Sequence, residues 1–352
     1  MVRIRSFAKI NLGLRIGALR ADGFHELLTV YQTIELHDGI RVSVERGFGI
    51  EIRCEDPRVP KDESNTCHRI VKLALDALKI RGQIIIEIEK HLPVQGGLGG
   101  ASGNAVSALV ALERAVKRKL SGPERLRIAA EVGSDLPLFL IGGTVLGVGH
   151  GEEVYPLPDL PSVPCVVALP KVAVSTPKAF AEWDALMRDA AVVESVELRS
   201  IRTAEGDRPH TASTKLTQSN PSDRMLEFSR MLAAWLSSQS QIVSGRALSG
   251  VSAKGRGRAE TPLLDLVRTG IENDFEQVVF PQYPELHEVK RVFEHAGAFY
   301  ASLSGSGSGV YGLFRTQSAA QRAAAALKRR GTAAVVTKTL TRRQYWRKIF
   351  DC

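Results

Sequence analysis

Cysteine is scarce in this chain, and so are long apolar runs. Its four cysteines, Cys54, Cys67, Cys165 and Cys352, include no pair at CxxC or other metal-ligand spacing. They read as free thiols of a reducing compartment, which excludes a scaffold stapled by disulfides or zinc. No apolar run approaches a membrane span, and the opening MVRIRSFAKINLGL lacks the apolar core of a signal peptide. A cytoplasmic protein with no membrane partner is expected. Internal repeats are absent. So are the two commonest nucleotide fingerprints. Where a Walker A loop needs lysine and then Ser or Thr after its last glycine, Ala101 and Ser102 stand instead. Gly97, Gly99 and Gly100 do not give the G-x-G-x-x-G of a Rossmann turn, and the chain from position 117 onward is basic rather than carrying the expected acid.

What is present is an ordinary globular composition, 44% hydrophobic and 24% charged, over 352 residues. That length exceeds one compact core, so two domains are expected. Basic residues outnumber acidic ones, 47 to 38, for a net charge of +9. Such a surplus favours anionic partners. Nucleic acid is disfavoured among them, because the basic residues gather in irregular segments and near the tail without aromatic platforms between them.

The most informative stretch is LPVQGGLGGASGNAV, Leu92 to Val106. Upstream, IIIEIEK alternates as a strand does; downstream, Ala105, Val106, Leu109, Leu112 and Val116 recur at helical spacing. A glycine-rich turn between a strand and a helix lets the backbone curl tightly. It also brings N–H groups and the positive end of a helix dipole toward an anion. A merely close-packed connection would use the same residues, so the loop alone does not define an enzyme.

Residues 1–156 read as one unit. A strand is expected around Ile4 to Leu14, a hairpin from Ile40–Glu45 and Gly49–Cys54, and a helix from about Thr66 to Leu78. Pro123 and Gly133 punctuate a further helix. The proline-rich PLPDLPSVP, Pro156 to Pro164, marks the joint. Residues 165–352 form the second unit. It has a strand at Cys165–Leu169, a helix from about Pro177 to Met187, a helix at Pro284–His295, an alanine-rich helix ending near Lys328 and a strand over 333–340. Two polar stretches, at about 193–224 and 240–259, have little periodicity and read as mobile insertions. The tail RRQYWRKIF reads as packing against the body.

Three more elements can carry chemistry. Lys9 sits among apolar strand residues; taken alone, it reads as a lysine that snorkels to the surface. Asp135 lies in the turn Gly133-Ser134-Asp135-Leu136-Pro137, a common place for a capping acid. Between two expected strands, SLSGSGSGV (Ser302 to Val310) can turn its N–H groups toward phosphates, although a plain linker shares its composition.

In order and approximate spacing, AKINL, the GLGG loop and the C-terminal glycine loop resemble the three motifs of the GHMP kinases. ADGFHEL (Ala21 to Leu27), GSDLPLFLIGG (Gly133 to Gly143), VSTPKAF (Val174 to Phe180) and NDFE (Asn273 to Glu276) extend the likeness over most of the chain outside the polar stretches. The resemblance implies an α+β fold, with a ribosomal-S5-like N-terminal domain and a C-terminal α/β sandwich. It also implies a cytoplasmic kinase that takes ATP with Mg2+ and a small-molecule alcohol.

By the same resemblance, Asp135 is the catalytic base and Lys9 its electrostatic partner. Pro93, Gly96, Gly97, Leu98, Gly99, Gly100, Ala101, Ser102 and Gly103 hold ATP, and Asn65 lies near the adenine. Asn11, Ser304, Gly305 and Ser306 lie toward the acceptor. Phe24, Phe180 and His25 imply an acceptor bearing a cytosine ring, rather than the mevalonate or homoserine of other members. The chain departs from the family loop GLGGGSS at Ala101 and Gly103, which leaves Ser102 as the side-chain donor to phosphate. No protein ligand for Mg2+ is evident.

Overall fold

The computed structural model describes residues 1–94, 96–203, 221–243 and 271–350. Two sheets organise them. The first contains β1 (Val2–Leu19), β2 (His25–Glu45), β3 (Gly49–Cys54), β4 (Gln83–Glu89), β5 (Thr144–Val148) and β6 (Glu153–Pro156), in the order β3-β4-β2-β5-β6 with β1 also pairing β2. The second is antiparallel, with β7 (Pro164–Leu169), β8 (Tyr300–Leu303), β9 (Val310–Leu313) and β10 (Ala333–Lys338) in the order β10-β7-β9-β8. The architecture is α+β.

The expected hairpin of β2 and β3 does not form. β4 enters between them, antiparallel to β2 and parallel to β3. Helix α1 (Thr66–Leu78) supplies the crossover that a parallel pair requires. The reason lies in the side chains. Ile84, Ile85, Ile86 and Ile88 of β4 are all almost fully buried, which suits a central strand, whereas β3 has exposed and half-buried positions that suit an edge.

β1 runs five residues past its expected end at Leu14. Its pairing with β2 shifts between Phe7 and Ala8, between Asn11 and Gly13, and again before Leu19. Such bulges re-aim side chains, and Lys9 and Asn11 lie between the first two.

Helix α2 (Gly100–Val116) packs with α1 over the first sheet, burying Val106, Leu109 and Leu112. α3 (Gly122–Val132) starts on Ser121, whose hydroxyl caps Glu124 N, with proline in its first turn. A one-turn helix, α4 (Leu136–Phe139), follows Asp135. A second core joins the other sheet to the helices Pro284–His295 and Gln317–Arg329 through Leu286, Phe293, Ala323 and Leu327. A third lies between the sheets, where Ile10, Leu12 and Val30 meet Val167, Tyr311 and Phe228.

Two segments depart from the sequence expectation. α5 spans Thr176–Thr203 instead of ending near Met187, so it enters the first polar stretch. α6 (Pro221–Val243) includes the end of that stretch and the start of the second. Its Phe228 and Leu232 are buried. The remainder of both polar stretches lies outside the described residues. The tail forms a helix, Arg342–Lys348, that returns to the first core, where Tyr345 donates to Phe139 O at 2.8 Å. Among the described residues, no helix is long and apolar enough to cross a membrane.

Candidate active site

Lys9 is not a snorkelling residue. It is 3% exposed. Its Nζ donates to Asn11 Oδ1 at 2.7 Å and lies 3.3 Å from Asp135 Oδ2. A buried ammonium is unfavourable by several kcal/mol unless paired and hydrogen-bonded, and these contacts supply both partners. Asn11 donates onward to Thr29 Oγ1 at 2.8 Å, and Thr29 donates to Gly13 O at 2.8 Å. The chain of contacts pins the amide of Asn11 with its oxygen toward the lysine. Tyr31 completes the group by donating its phenol to Asp135 Oδ1 at 3.0 Å. Burial, reinforced by the Asp135 carboxylate, holds the Tyr31 phenol well above its usual pKa, so it remains a neutral donor. A third of the Asp135 side chain remains exposed, which leaves the carboxylate accessible.

The phosphate-type loop lies directly against this group. Lys9 N donates to Leu98 O at 2.9 Å. Gly99, at φ +67°, precedes α2 and offers no side chain to cap it. A Cβ there would sit 2.9 Å from both Lys9 Cγ and the Phe139 ring. The glycine therefore serves both a left-handed turn and close packing. Pro93, Gly96, Gly97, Leu98, Gly99, Gly100, Ala101 and Ser102 line a cavity of about 370 Å3, with Asn65, Arg58 and Lys90 on its walls. That is a volume suited to a nucleotide-sized ligand.

Asn65 also holds its own loop in place. Its Oδ1 caps Cys67 N at 2.8 Å, and its Nδ2 donates to Pro60 O at 2.6 Å. Gly103 faces away from the cavity, toward β1, where a Cβ would meet Phe7 O at 2.9 Å and Ser6 Oγ at 3.0 Å. Ser6 thus occupies the space that a side chain at 103 would need, and this accounts for the departure there. Nothing in the structure explains alanine at 101.

The second glycine loop closes on the first. Ser304 donates to Gly97 O at 2.9 Å, and Gly309 N donates to Gly96 O at 3.2 Å. Asn273 of the NDFE segment holds the loop through Leu303 O and Gly305 O. A Cβ at Gly305 would lie 3.6 Å from Lys9 Nζ, so this backbone borders the lysine. Ser306 pairs with Thr176 Oγ1 at 2.7 Å and lines a second cavity, of about 360 Å3, together with Gly97, Val174 and Pro177.

Phe24 and Phe180 each lie against a histidine ring. Phe24 is 62% exposed, with its ring 5.0 Å from that of His150. Phe180 stacks on His25 at 5.0 Å and 11°. His25 Nε2 is 2.7 Å from Asp184 Oδ1. Sequence reasoning passed over Asp184, Thr29 and Tyr31. Asp184 had a signal, since it follows Phe180 by one helical turn on α5; Thr29 and Tyr31 looked like ordinary strand residues. No group of three or more His, Cys, Asp or Glu gathers among the described residues. Ser102, the expected side-chain donor to phosphate, is among the residues that line the first cavity.

Lys9 and Asp135 beside a glycine cradle, closed by a second glycine loop, define a site of the GHMP kinase class. Residues 65–143 match the profile of the GHMP kinase N-terminal domain, and residues 260–333 that of the C-terminal domain. The 4-diphosphocytidyl-2-C-methyl-D-erythritol kinase of Solibacter usitatus is 34% identical over 91% of this chain and 83% of its own. The enzyme of the same name from Desulfitobacterium hafniense is 32% identical over 97% of both. A crystal structure of 4-(cytidine 5'-diphospho)-2C-methyl-D-erythritol kinase superposes with a TM-score of 0.64 at 27% identity, covering 96% of this chain and 99% of that one. The chain belongs to the 4-diphosphocytidyl-2-C-methyl-D-erythritol kinase family of GHMP kinases. Members of this class transfer a phosphoryl group from ATP to an alcohol, and this protein is such a kinase.

Proposed function

We propose that the protein transfers the γ-phosphoryl group of ATP to the 2-hydroxyl of 4-diphosphocytidyl-2-C-methyl-D-erythritol, in the non-mevalonate route to isoprenoid precursors. The convergence of Lys9 Nζ and Asp135 Oδ2 at 3.3 Å, beside the glycine cradle, carries this reading. The names of the relatives supply the acceptor.

Phosphoryl transfer depends chiefly on alignment and charge stabilisation. Asp135 takes the proton of the acceptor hydroxyl as its oxygen bonds to the γ-phosphorus and the bond to ADP breaks. Lys9 orients the carboxylate and stabilises the oxygen as negative charge develops on it. Asn11 holds Lys9 and borders the acceptor. The backbone from Gly96 to Ser102 cradles the phosphates at the start of α2, while Ser304, Gly305 and Ser306 close the opposite side. Asn65 bounds the nucleotide pocket. Phe180 and Phe24 offer aromatic faces to the cytosine, and His25 its hydrogen-bonding edge. Mg2+ bound with ATP supplies charge neutralisation.

The test is a coupled assay with ATP, Mg2+ and a panel of alcohols. Turnover confined to the cytidine-bearing methylerythritol supports the reading. Equal or better turnover of mevalonate or homoserine overturns it.

A further inference from the structure

We propose that Tyr31 is a positioning residue of the phosphoryl-transfer site, holding the carboxylate of Asp135 in the orientation from which it receives the acceptor proton. The inference rests on the assignment of Asp135 as base and adds a residue to it.

The geometry divides the two carboxylate oxygens between two donors. Oδ1 accepts the Tyr31 phenol at 3.0 Å, and Oδ2 faces Lys9 Nζ at 3.3 Å. A carboxylate held at both oxygens cannot rotate freely about its terminal bond, so its remaining lone pairs point in one set direction. Asp135 itself sits at the mouth of a one-turn helix without a side-chain capping bond. Its orientation therefore comes from Tyr31 and Lys9 rather than from its own backbone. A donated hydrogen bond to an ionised oxygen is among the stronger polar contacts.

The fold makes specific room for the phenol. Tyr31 is 2% exposed in the middle of β2, where it pairs with Asn11 of β1 and Val145 of β5. A Cβ at Gly147 would lie 2.5 Å from the ring, and one at Gly151 only 2.4 Å from the phenol oxygen. Any side chain at either glycine would press on the ring or its hydroxyl. A phenylalanine at position 31 would need the ring space but not the space at the hydroxyl. The Lys9 ammonium lies 5.4 Å from the ring centroid, so the same ring also lines the lysine. The charged and titratable groups around the carboxylate are Lys9 from β1, Tyr31 from β2, and Glu152 and His150 from the β5–β6 turn; Glu152 acts on Tyr31, and His150 contacts Glu152 at 3.5 Å.

Tyr31→Phe keeps the ring and removes only the donor. The expected result is a kcat lowered about tenfold or more, on the scale of a lost charge-assisted hydrogen bond, with KM for ATP and acceptor changed less than about twofold. The loss falls on kcat and not on KM, the split expected of a group that acts as the proton is taken. 3-Fluorotyrosine in place of Tyr31 keeps the phenol donor and is expected to hold kcat within about threefold of the parent, the margin left by a retained hydrogen bond, which keeps the test open if the phenylalanine variant folds poorly. Wild-type kcat in Tyr31→Phe overturns the proposal, as does a fall in kcat that the fluorotyrosine variant shares or that a rise in KM matches. Asp135→Asn is assayed in parallel. If it is inactive while Tyr31→Phe is unaffected, this inference fails and the assignment of the base stands; if it turns over normally, both fail.

Discussion

The hydroxyl of Ser304 donates to the carbonyl oxygen of Gly97 at 2.9 Å, so the two glycine loops, distant in sequence, meet side chain to backbone beside the cavity that the first loop lines. Gly97 tolerates no substituent there. A Cβ would sit 2.0 Å from Ser304 O, and its φ of +69° is left-handed. Gly97→Ala is expected to destabilise the protein by about 1–3 kcal/mol and to weaken ATP binding. Thermal unfolding and a nucleotide titration check both.

Gly103 looks like a lost phosphate ligand in the sequence and is a packing requirement in the structure. Gly103→Ser, which restores the residue common in the family loop, is expected to lower thermal stability through contact with Phe7 O and Ser6 Oγ rather than to tighten ATP. A rise in both stability and ATP affinity in that variant would refute the packing explanation.

Phe180 and His25 stack on each other at the entrance to β2. If they receive the cytosine, Phe180→Leu raises KM for the cytidine-bearing acceptor about three- to tenfold, the scale of an aromatic stack of about 0.5–1.5 kcal/mol. KM for ATP stays unchanged. Steady-state kinetics with each substrate varied in turn separates the two.

The returning tail is fastened by charge as well as by Tyr345. Burial raises the Glu35 carboxyl, but Lys348 and Lys338 outweigh it and leave its pKa below the usual value. The folded pKa is thus lower than the unfolded one. The stabilisation is present above the unfolded value and is lost as pH falls through the folded one. Glu35→Gln is expected to remove that part of the acid-side slope, about 0.5–1 kcal/mol for a pair this exposed. Urea unfolding at neutral pH and at about pH 3 measures the difference.

Much of the fold was legible in the sequence because local chemistry set it. Helix Thr66–Leu78 has the Asn65 cap and helix Pro284–His295 its opening proline; both carry apolar residues at helical spacing and fall where periodicity puts them. The GLGG loop announced itself through glycines that the turn demands. The pairing of β3 with β4 was not legible, since adjacency in sequence favours a hairpin and only tertiary burial of the isoleucines decides otherwise. Lys9 misled for a related reason: a lysine in an apolar strand snorkels unless a partner reaches it, and Asp135 arrives from a remote turn. Helix α6 escaped notice because it lies between two polar stretches, although Met225, Phe228, Met231, Leu232 and Leu236 recur at helical spacing and pack on the core between the sheets. Tyr31 looked like one more strand aromatic until Gly147 and Gly151 revealed the space kept for it.

The proposed chemistry converges on the Asp135 carboxylate. Single-turnover phosphorylation by Asp135→Asn, with ATP binding measured on the same sample, isolates its part in the reaction. The prediction is a rate lowered about a hundred- to ten-thousandfold with ATP affinity within about twofold of the parent. A variant that transfers phosphate at nearly the parental rate would contradict it.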